Sequence, residues 1–225
     1  MGWLIQFFRS SLGLKYLMGL TGAGIYGFFI FHILGNLTVF AGQDAMNAYA
    51  LSLKTLPFGL LWVARIGLIV IFVVHIFSAI KLTAANKAAR PQAYAKPNTI
   101  QASLASRTMA LSGLLILSYL IFHLAHFTWR IVAYDGPLVD AQGRDDVYTM
   151  VVEAFQEPLL ALLYIVAMII VGFHLKHGSQ SMFQSLGLNH PKYNKIIKIA
   201  PPALGWLIAV AGISIPVAIF VGIVS

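Results

Sequence analysis

The sequence contains no cysteine, and charged residues make up only 10% of its 225 residues. The absence of cysteine excludes disulfides, thiolate-held iron–sulfur clusters, cysteine-type zinc sites and haem attached covalently through C-x-x-C-H. Hydrophobic residues reach 59%, whereas soluble domains average about 45–50% apolar and about 25% charged residues. The composition predicts a membrane protein, in which any redox centre is held by ligands other than cysteine.

Five apolar runs are each long enough to cross a bilayer as a helix, which takes about 20 residues. No shift in composition marks a second domain, so we expect residues 1–225 to form a single all-α domain, a bundle of five transmembrane helices. The segment before the first run lacks the features of a cleaved signal peptide. We expect it to form a short interfacial helix with Trp3 and Phe7 facing lipid. The five predicted spans are residues 16–40, 56–80, 108–132, 155–176 and 199–224.

The net charge of +8 is arranged by side of the membrane. Basic residues precede span one and concentrate between spans two and three and between spans four and five. By the positive-inside rule, this arrangement predicts a cytoplasmic N-terminus, with the two other loops and the C-terminus on the opposite side. The charge thus indicates topology, and no nucleic-acid partner is expected. All seven acidic residues lie in those two other loops or at their edge with span four: Asp44, Asp135, Asp140, Asp145, Asp146, Glu153 and Glu157.

Histidines occur in each of the first four spans and are absent from the fifth. At 1.5 Å per residue, His32 lies about 25 Å and His123 about 24 Å from the predicted cytoplasmic edge. His75 lies about 9 Å from that edge, and His174 directly precedes the basic residues there. The four histidines therefore form two pairs by depth, His32 with His123 in the outer half and His75 with His174 in the inner half.

Paired imidazoles at two depths have a specific chemical use. A low-spin b-type haem takes two axial imidazoles, one on each face of the macrocycle. Two pairs separated by about 15 Å of depth would hold two haems one above the other. A single intramembrane histidine more often bonds between helices, but four on four helices, matched in depth, favour cofactor binding. We predict His32 and His123 as ligands of the outer haem iron, and His75 and His174 as ligands of the inner one.

The remaining histidines leave alternatives open. His126 and His177 each follow a predicted ligand by three residues and share its helical face. A hydrogen bond to a haem propionate or a bound partner, and simple contact with water at the membrane edge, are both compatible with these positions. His190 lies in a predicted cytoplasmic loop, where we expect it to be solvated. Glycines such as Gly113 and those of GAGIYG suit close approach of a macrocycle or of another helix equally well.

Other functions fit the sequence less well. GAGIYG satisfies the dinucleotide pattern G-x-G-x-x-G, but it lies inside a span and follows no strand. A transporter with a histidine relay would require inverted repeats or broken helices, which the sequence does not show. Quinol:cytochrome c reductases carry two ligands on each of two helices, and that pattern is also absent. A structural anchor whose histidines bind nothing is the remaining alternative.

Several short motifs, in this order and spacing, resemble one family over nearly the whole chain. They are FHILGN around His32, LPFGLL with HIFSAIKL around His75, SRTMALSGLLILSYLIFHLAHF through span three, and FHLKHG around His174. The chain resembles the cytochrome b membrane subunit of succinate:quinone oxidoreductases (succinate dehydrogenase/fumarate reductase), in its single-subunit, five-helix, two-haem form.

The resemblance implies two b haems held by one histidine from each of the first four spans, paired as His32–His123 and His75–His174. In span three His126 is the alternative ligand, and the spacing from Gly113 favours His123. The family's anchor binds a flavoprotein subunit and an iron–sulfur subunit on the cytoplasmic side of the bacterial inner membrane, and the whole complex can oligomerise further. The chain itself carries out no dicarboxylate chemistry.

The resemblance also implies the path of electrons, from succinate through the iron–sulfur subunit and the two haems to a quinone, commonly menaquinone, or the reverse towards fumarate. The basic loops 81–107 and 176–198 would dock the iron–sulfur subunit. Two positions depart from the family. Gly172 replaces a transmembrane glutamate of some relatives, which leaves the proton-compensation pathway undefined, and Lys54 precedes LPF where no acid for quinone chemistry can be matched.

Overall fold

The computed structural model describes residues 2–89, 102–133 and 139–225, and within these ranges nearly all regular structure is helical. Within these ranges five helical segments are long and apolar enough to cross a membrane, which confirms the predicted all-α fold with five long apolar helices and indicates a multi-pass membrane protein. They are Ser11–Ala41, Pro57–Ala88, Met109–Thr128, Pro158–Ser185 and Asn194–Phe220.

The described residues form α-helices of very different lengths. Short 3₁₀ segments, Leu37–Ala41 and Pro57–Gly59, extend two of them, and a single π turn, Leu124–Thr128, follows α6. The α-helices are α1 (Gly2–Arg9), α2 (Ser11–Asn36), α3 (Gln43–Lys54), α4 (Leu60–Ala88), α5 (Leu104–Arg107), α6 (Met109–His123), α7 (Val147–Gln156), α8 (Pro158–Ser185) and α9 (Asn194–Phe220).

Four long helices form a square. Along the sides, α2 packs against α4 and α8, and α6 packs against α8 and more lightly against α4. In the part of the chain that the structure describes, the diagonal pairs α2/α6 and α4/α8 make no extensive backbone contact. The fifth long helix, α9, lies outside the square against α8 and part of α2. The centre of the square is therefore reached by side chains from opposite corners.

Small residues bring α8 and α9 close together. A Cβ on Gly172 would lie 2.8 Å from the indole of Trp206, and one on Gly212 would lie 2.8 Å from Sδ of Met168. Gly172 thus faces α9, and a carboxylate side chain at this position would not fit unless the Trp206 ring moved. By contrast, the most apolar stretch of the α4 span has no buried residue. The reason is that α4 packs mainly against α2 and its other faces are exposed.

Two short helices that the apolar runs did not predict, α3 and α7, cover one end of the bundle. Together with residues 139–146 they form what we call the acidic cap, and this end is the acidic end; the opposite end, with α1 and the lysine-rich loops, is the basic end. Asn47 of α3 is fully buried and donates to Asp140 (3.1 Å) and Asp146 (2.9 Å). Its carbonyl accepts the backbone N–H of Tyr148 at 3.0 Å. Buried amide and carboxylate groups thus fix the two cap helices to each other.

Candidate functional site

Two of the predicted ligands meet near the acidic end, inside the square. His32 projects from α2 and His123 ends α6, on diagonally opposed helices. Their ring centres lie 5.8 Å apart with the ring planes perpendicular. When two imidazoles bind the same metal ion from opposite sides, each at about 2 Å, their ring centres lie roughly 6 Å apart. The separation of this pair is therefore close to that of a metal clamp.

The other two predicted ligands, His75 on α4 and His174 on α8, occupy the second diagonal. Each ring rests on the neighbouring helix. Nδ1 of His75 lies 3.2 Å from Oγ1 of Thr21, and Nδ1 of His174 lies 3.0 Å from Oγ of Ser112. All four histidines thus come from different corners of the square, in two diagonal pairs, as two facing-helix clamps require.

Gly113, whose spacing favoured His123 as the ligand in span three, does not itself lie beside His123. The sequence placed Gly113 ten residues before His123, but in the structure Gly113 lies against the ring of His174. A Cβ on Gly113 would lie 3.6 Å from Cε1 of that ring. The reason is helical rise, since ten residues place Gly113 about 15 Å from His123 and level with the other pair. What distinguishes His123 from His126 is instead its approach to His32.

His126 also differs from the expectation of water contact at the membrane edge. Its side chain is only 1% exposed, its Nδ1 lies 3.0 Å from the hydroxyl of Tyr164, and its ring stacks on Phe127. His126 lies within the π turn that follows His123, and such turns are frequent at functional sites. Tyr164 also lies 3.5 Å from Nδ1 of His123. His126 is therefore a buried neighbour of the outer pair.

The polar neighbour of His32 is an amide. Asn36, one turn further along α2, donates to the backbone carbonyl of His32 at 2.7 Å and lies 3.4 Å from its Nε2. The second distance is long for a hydrogen bond, so Nε2 is only weakly engaged. His177 is partly buried, and His190 is exposed in the loop before α9, as expected of a solvated histidine.

Sequence reasoning missed Thr21 and Ser112, although a signal for them exists. Thr21-Gly22 and Ser112-Gly113 each stand eleven residues before an outer histidine, in the pattern [ST]-G-x₉-H. Eleven residues are close to three helical turns, so the hydroxyl and the histidine share one face, about 16 Å apart along the axis. Each of these two dipeptides also contacts the inner histidine of the next long helix. The two halves of the site thus repeat the same design.

Buried hydroxyls near the inner pair show whether a haem suits this site. Ser78 follows His75 by one helical turn and is fully buried, and Ser179 follows His174 and is 3% exposed. The hydroxyls of both have no hydrogen-bond partner among the described residues. An unpaired buried hydroxyl costs free energy, and both lie on the basic side of the inner histidines. A haem brings two propionate carboxylates that accept such donors. The imidazole pairs, the small residues beside them and these hydroxyls fit a haem at this site.

The acidic cap concentrates charge beside the outer pair. The Asp145 carboxylate accepts hydrogen bonds from Arg130 (2.8 Å) and Lys54 (2.6 Å). The Arg130 guanidinium and then Lys54 lower the pKa of Asp145 from 3.8 to about 2. A cavity of about 550 Å³ opens at this ion pair, and Phe127 and Thr128 of the π turn are part of its wall. The cavity therefore reaches from the cap to the helix end that carries His123.

Comparison with known proteins gives no family assignment: no protein-family model, curated protein or solved structure matches this chain.

Proposed function

We propose that this chain is the dihaem cytochrome b membrane anchor of a succinate:quinone oxidoreductase. It would carry electrons between an iron–sulfur subunit and a quinone, with menaquinone as the expected species, through two bis-histidine b haems. The observation that carries the proposal is the placement of His32 with His123, and His75 with His174, on the two diagonals of the helix square. The family resemblance of the motifs around these residues supplies the reaction.

In this proposal a bound haem supplies one-electron chemistry, and the chain supplies its environment. His32 and His123 would hold the outer iron, and His75 and His174 the inner iron. The apolar walls of the square keep water away, which favours electron transfer without loss of the electron to side reactions. With the two pairs about 16 Å apart along the helix axes, electrons would cross most of the apolar layer within one chain.

The two ends of the bundle would have different partners. The basic end would face the cytoplasm and bind the iron–sulfur subunit, which in turn binds the flavoprotein subunit, because its loops carry an excess of positive charge. Arg90 and Lys96 of the first basic loop, and Asp135 of the acidic loops, lie outside the described residues. The described basic residues of this end are Arg9, Lys15, Lys81, Lys87, Arg107, Lys176, Lys192, Lys195 and Lys198.

The cavity at the acidic cap is the place where we expect the quinone. A quinone combines an apolar ring with carbonyl oxygens that accept hydrogen bonds. The residues that line the cavity include the aromatic Phe127, the hydroxyl-bearing Thr128 and the cationic Lys54 and Arg130. Because Asp145 already pairs with both cations, a bound carbonyl would share them with this carboxylate.

The central test is a haem count. The chain, produced in membranes with haem available and purified in detergent, should bind two b-type haems, measured as the pyridine haemochrome. Alanine at His32, His75, His123 or His174 should each remove one haem, whereas His190→Ala, in the exposed loop, should retain both. A colourless wild-type chain, or four alanine variants that all retain two haems, would refute the proposal.

A second test separates this function from that of other membrane cytochromes. The tagged chain, isolated gently from its native membrane, should retain a flavin-containing and an iron–sulfur-containing subunit, and succinate should reduce its haems. Reversal of charge at Lys192, Lys195 and Lys198 together should release these subunits while both haems remain. A two-haem chain that succinate does not reduce, with no such subunits attached, would instead be a cytochrome of another type.

A further inference from the structure

We propose that Thr21 and Ser112 are positioning residues that fix the tautomer of His75 and His174. In each case the hydroxyl would hold the proton on Nδ1 and leave Nε2 as the metal-binding atom. The inference rests on the proposed function for the identity of the bound group, a haem. It adds which residues orient the imidazoles of the inner pair, His75 and His174, and influence the potential of the inner haem.

The other hydrogen bond of each hydroxyl indicates whether the hydroxyl or the histidine Nδ1 donates in their contact. Oγ1 of Thr21 lies 2.6 Å from the carbonyl oxygen of Leu17, and Oγ of Ser112 lies 3.1 Å from that of Met109. A hydroxyl has one proton, and a carbonyl can only accept. At 2.6 Å the Thr21 hydroxyl donates to Leu17, and we infer the same orientation for Ser112, whose hydroxyl contacts Met109 of its own helix. In this orientation each oxygen accepts from the histidine.

This arrangement fixes the proton on the ring. With the hydroxyl oxygens as acceptors, Nδ1 of His75 at 3.2 Å and Nδ1 of His174 at 3.0 Å are the donors in this inference. A neutral imidazole carries one proton, so Nε2 of both rings has a free lone pair. An acceptor on the non-ligating nitrogen orients a metal-bound histidine and increases its basicity. Both inner ligands thus have the partner that a bis-imidazole site needs.

The duplication of the arrangement is an independent observation. In both helix pairs, α2/α4 and α6/α8, a hydroxyl residue followed by glycine contacts Nδ1 of a histidine on the partner helix. In contrast, His32 contacts an amide, and His123 contacts a phenol at 3.5 Å. Hydroxyl acceptors therefore belong to the inner pair, and their removal should affect one haem only.

The test is a potentiometric titration of both haems in the purified chain, with low-spin ferric EPR as a second readout. Thr21→Val and Ser112→Ala remove the acceptor from Nδ1–H and weaken the imidazole as a donor to ferric iron. We expect each change to raise the potential of the inner haem by about 59 mV, a tenfold change for one electron, and to leave the outer haem unchanged. The loss of one haem in His75→Ala assigns the inner signal.

Matched controls separate positioning from packing. Thr38→Val and Ser118→Ala remove hydroxyls that also bond to helix carbonyls but do not contact a histidine, and both should retain the wild-type potentials. Thr21→Ser and Ser112→Thr keep the acceptor and should also behave as wild type. If Thr21→Val releases the inner haem while Thr21→Ser retains it, the inference is supported as well.

The outcomes distinguish this inference from the proposed function. A wild-type chain with two haems, whose potentials are unchanged in both Thr21→Val and Ser112→Ala, would overturn the inference alone. So would a Thr21→Ser variant whose inner potential moves as far as that of Thr21→Val. A wild-type chain that binds no haem would remove the basis of both.

Discussion

The buried amide of Asn47 allows a quantitative test of how the acidic cap is held. Asn47→Ala removes two hydrogen bonds to carboxylates and one from a backbone N–H. Hydrogen bonds to charged groups contribute about 1.5–3 kcal/mol each and neutral ones about 1 kcal/mol. The three bonds sum to about 4–7 kcal/mol. Because Asp140 and Asp146 keep other donors, we expect a loss below this sum, about 3–4 kcal/mol. For a chain of this size, that corresponds to a fall in Tm of roughly 6–16 °C.

Thermal unfolding in detergent, followed by circular dichroism, measures this loss. Asn189→Ala, at an exposed position in the α8–α9 loop, is the matched control and should leave Tm unchanged. Asn47→Asp keeps the size of the side chain but turns a donor into a third carboxylate, so it should destabilise at least as much as Asn47→Ala. A shift in Asn47→Ala no larger than that in Asn189→Ala would refute the view that this amide holds the cap.

Three further predictions follow from packing, charge and the aromatic cluster. Gly172→Ala should destabilise the chain by about 1–3 kcal/mol because its methyl would overlap an indole of α9, whereas Gly67→Ala, with open space around it, should not; denaturation in detergent compares them. Because the folded pKa of Asp145, about 2, lies below its ordinary 3.8, its stabilisation is present above about pH 4. That stabilisation should disappear as the pH falls through 2, and Asp145→Asn should flatten this part of the pH–Tm curve. Tyr164→Phe leaves Nδ1 of His126 without its partner and should shift the spectrum of the outer haem but not of the inner one.

The sequence predicted the long helices well because each needs an apolar run of bilayer length. The predicted spans two and four ended at residues 80 and 176, whereas the helices α4 and α8 continue to Ala88 and Ser185. Lysine is a good helix former, and its long side chain can reach water from inside a span. A charge therefore marks the membrane edge, and the helix continues past it.

Short elements and fine geometry were less accessible. α3 and α7 have no long apolar run, and they are held by tertiary contacts such as those of Asn47, which no local pattern contains. The burial of His126 depends on its packing against Phe127 and Tyr164, and the π turn that contains it has no sequence signature that we recognised. The depth pairing of the histidines, in contrast, follows from the constant rise of a helix, and the structure brings His32 and His123 together.

The exposed position of α4 has a consequence for assembly. This helix leans on α2 and only lightly on α6, and it reaches α8 through no extensive backbone contact in the described parts of the chain. The α4 corner of the square is thus held mainly from one side, by α2, until a bound group joins His75 to His174. A haem held by both histidines would link α4 to α8 across the square. Folding of the membrane domain and haem binding would then be one coupled event rather than two separate ones.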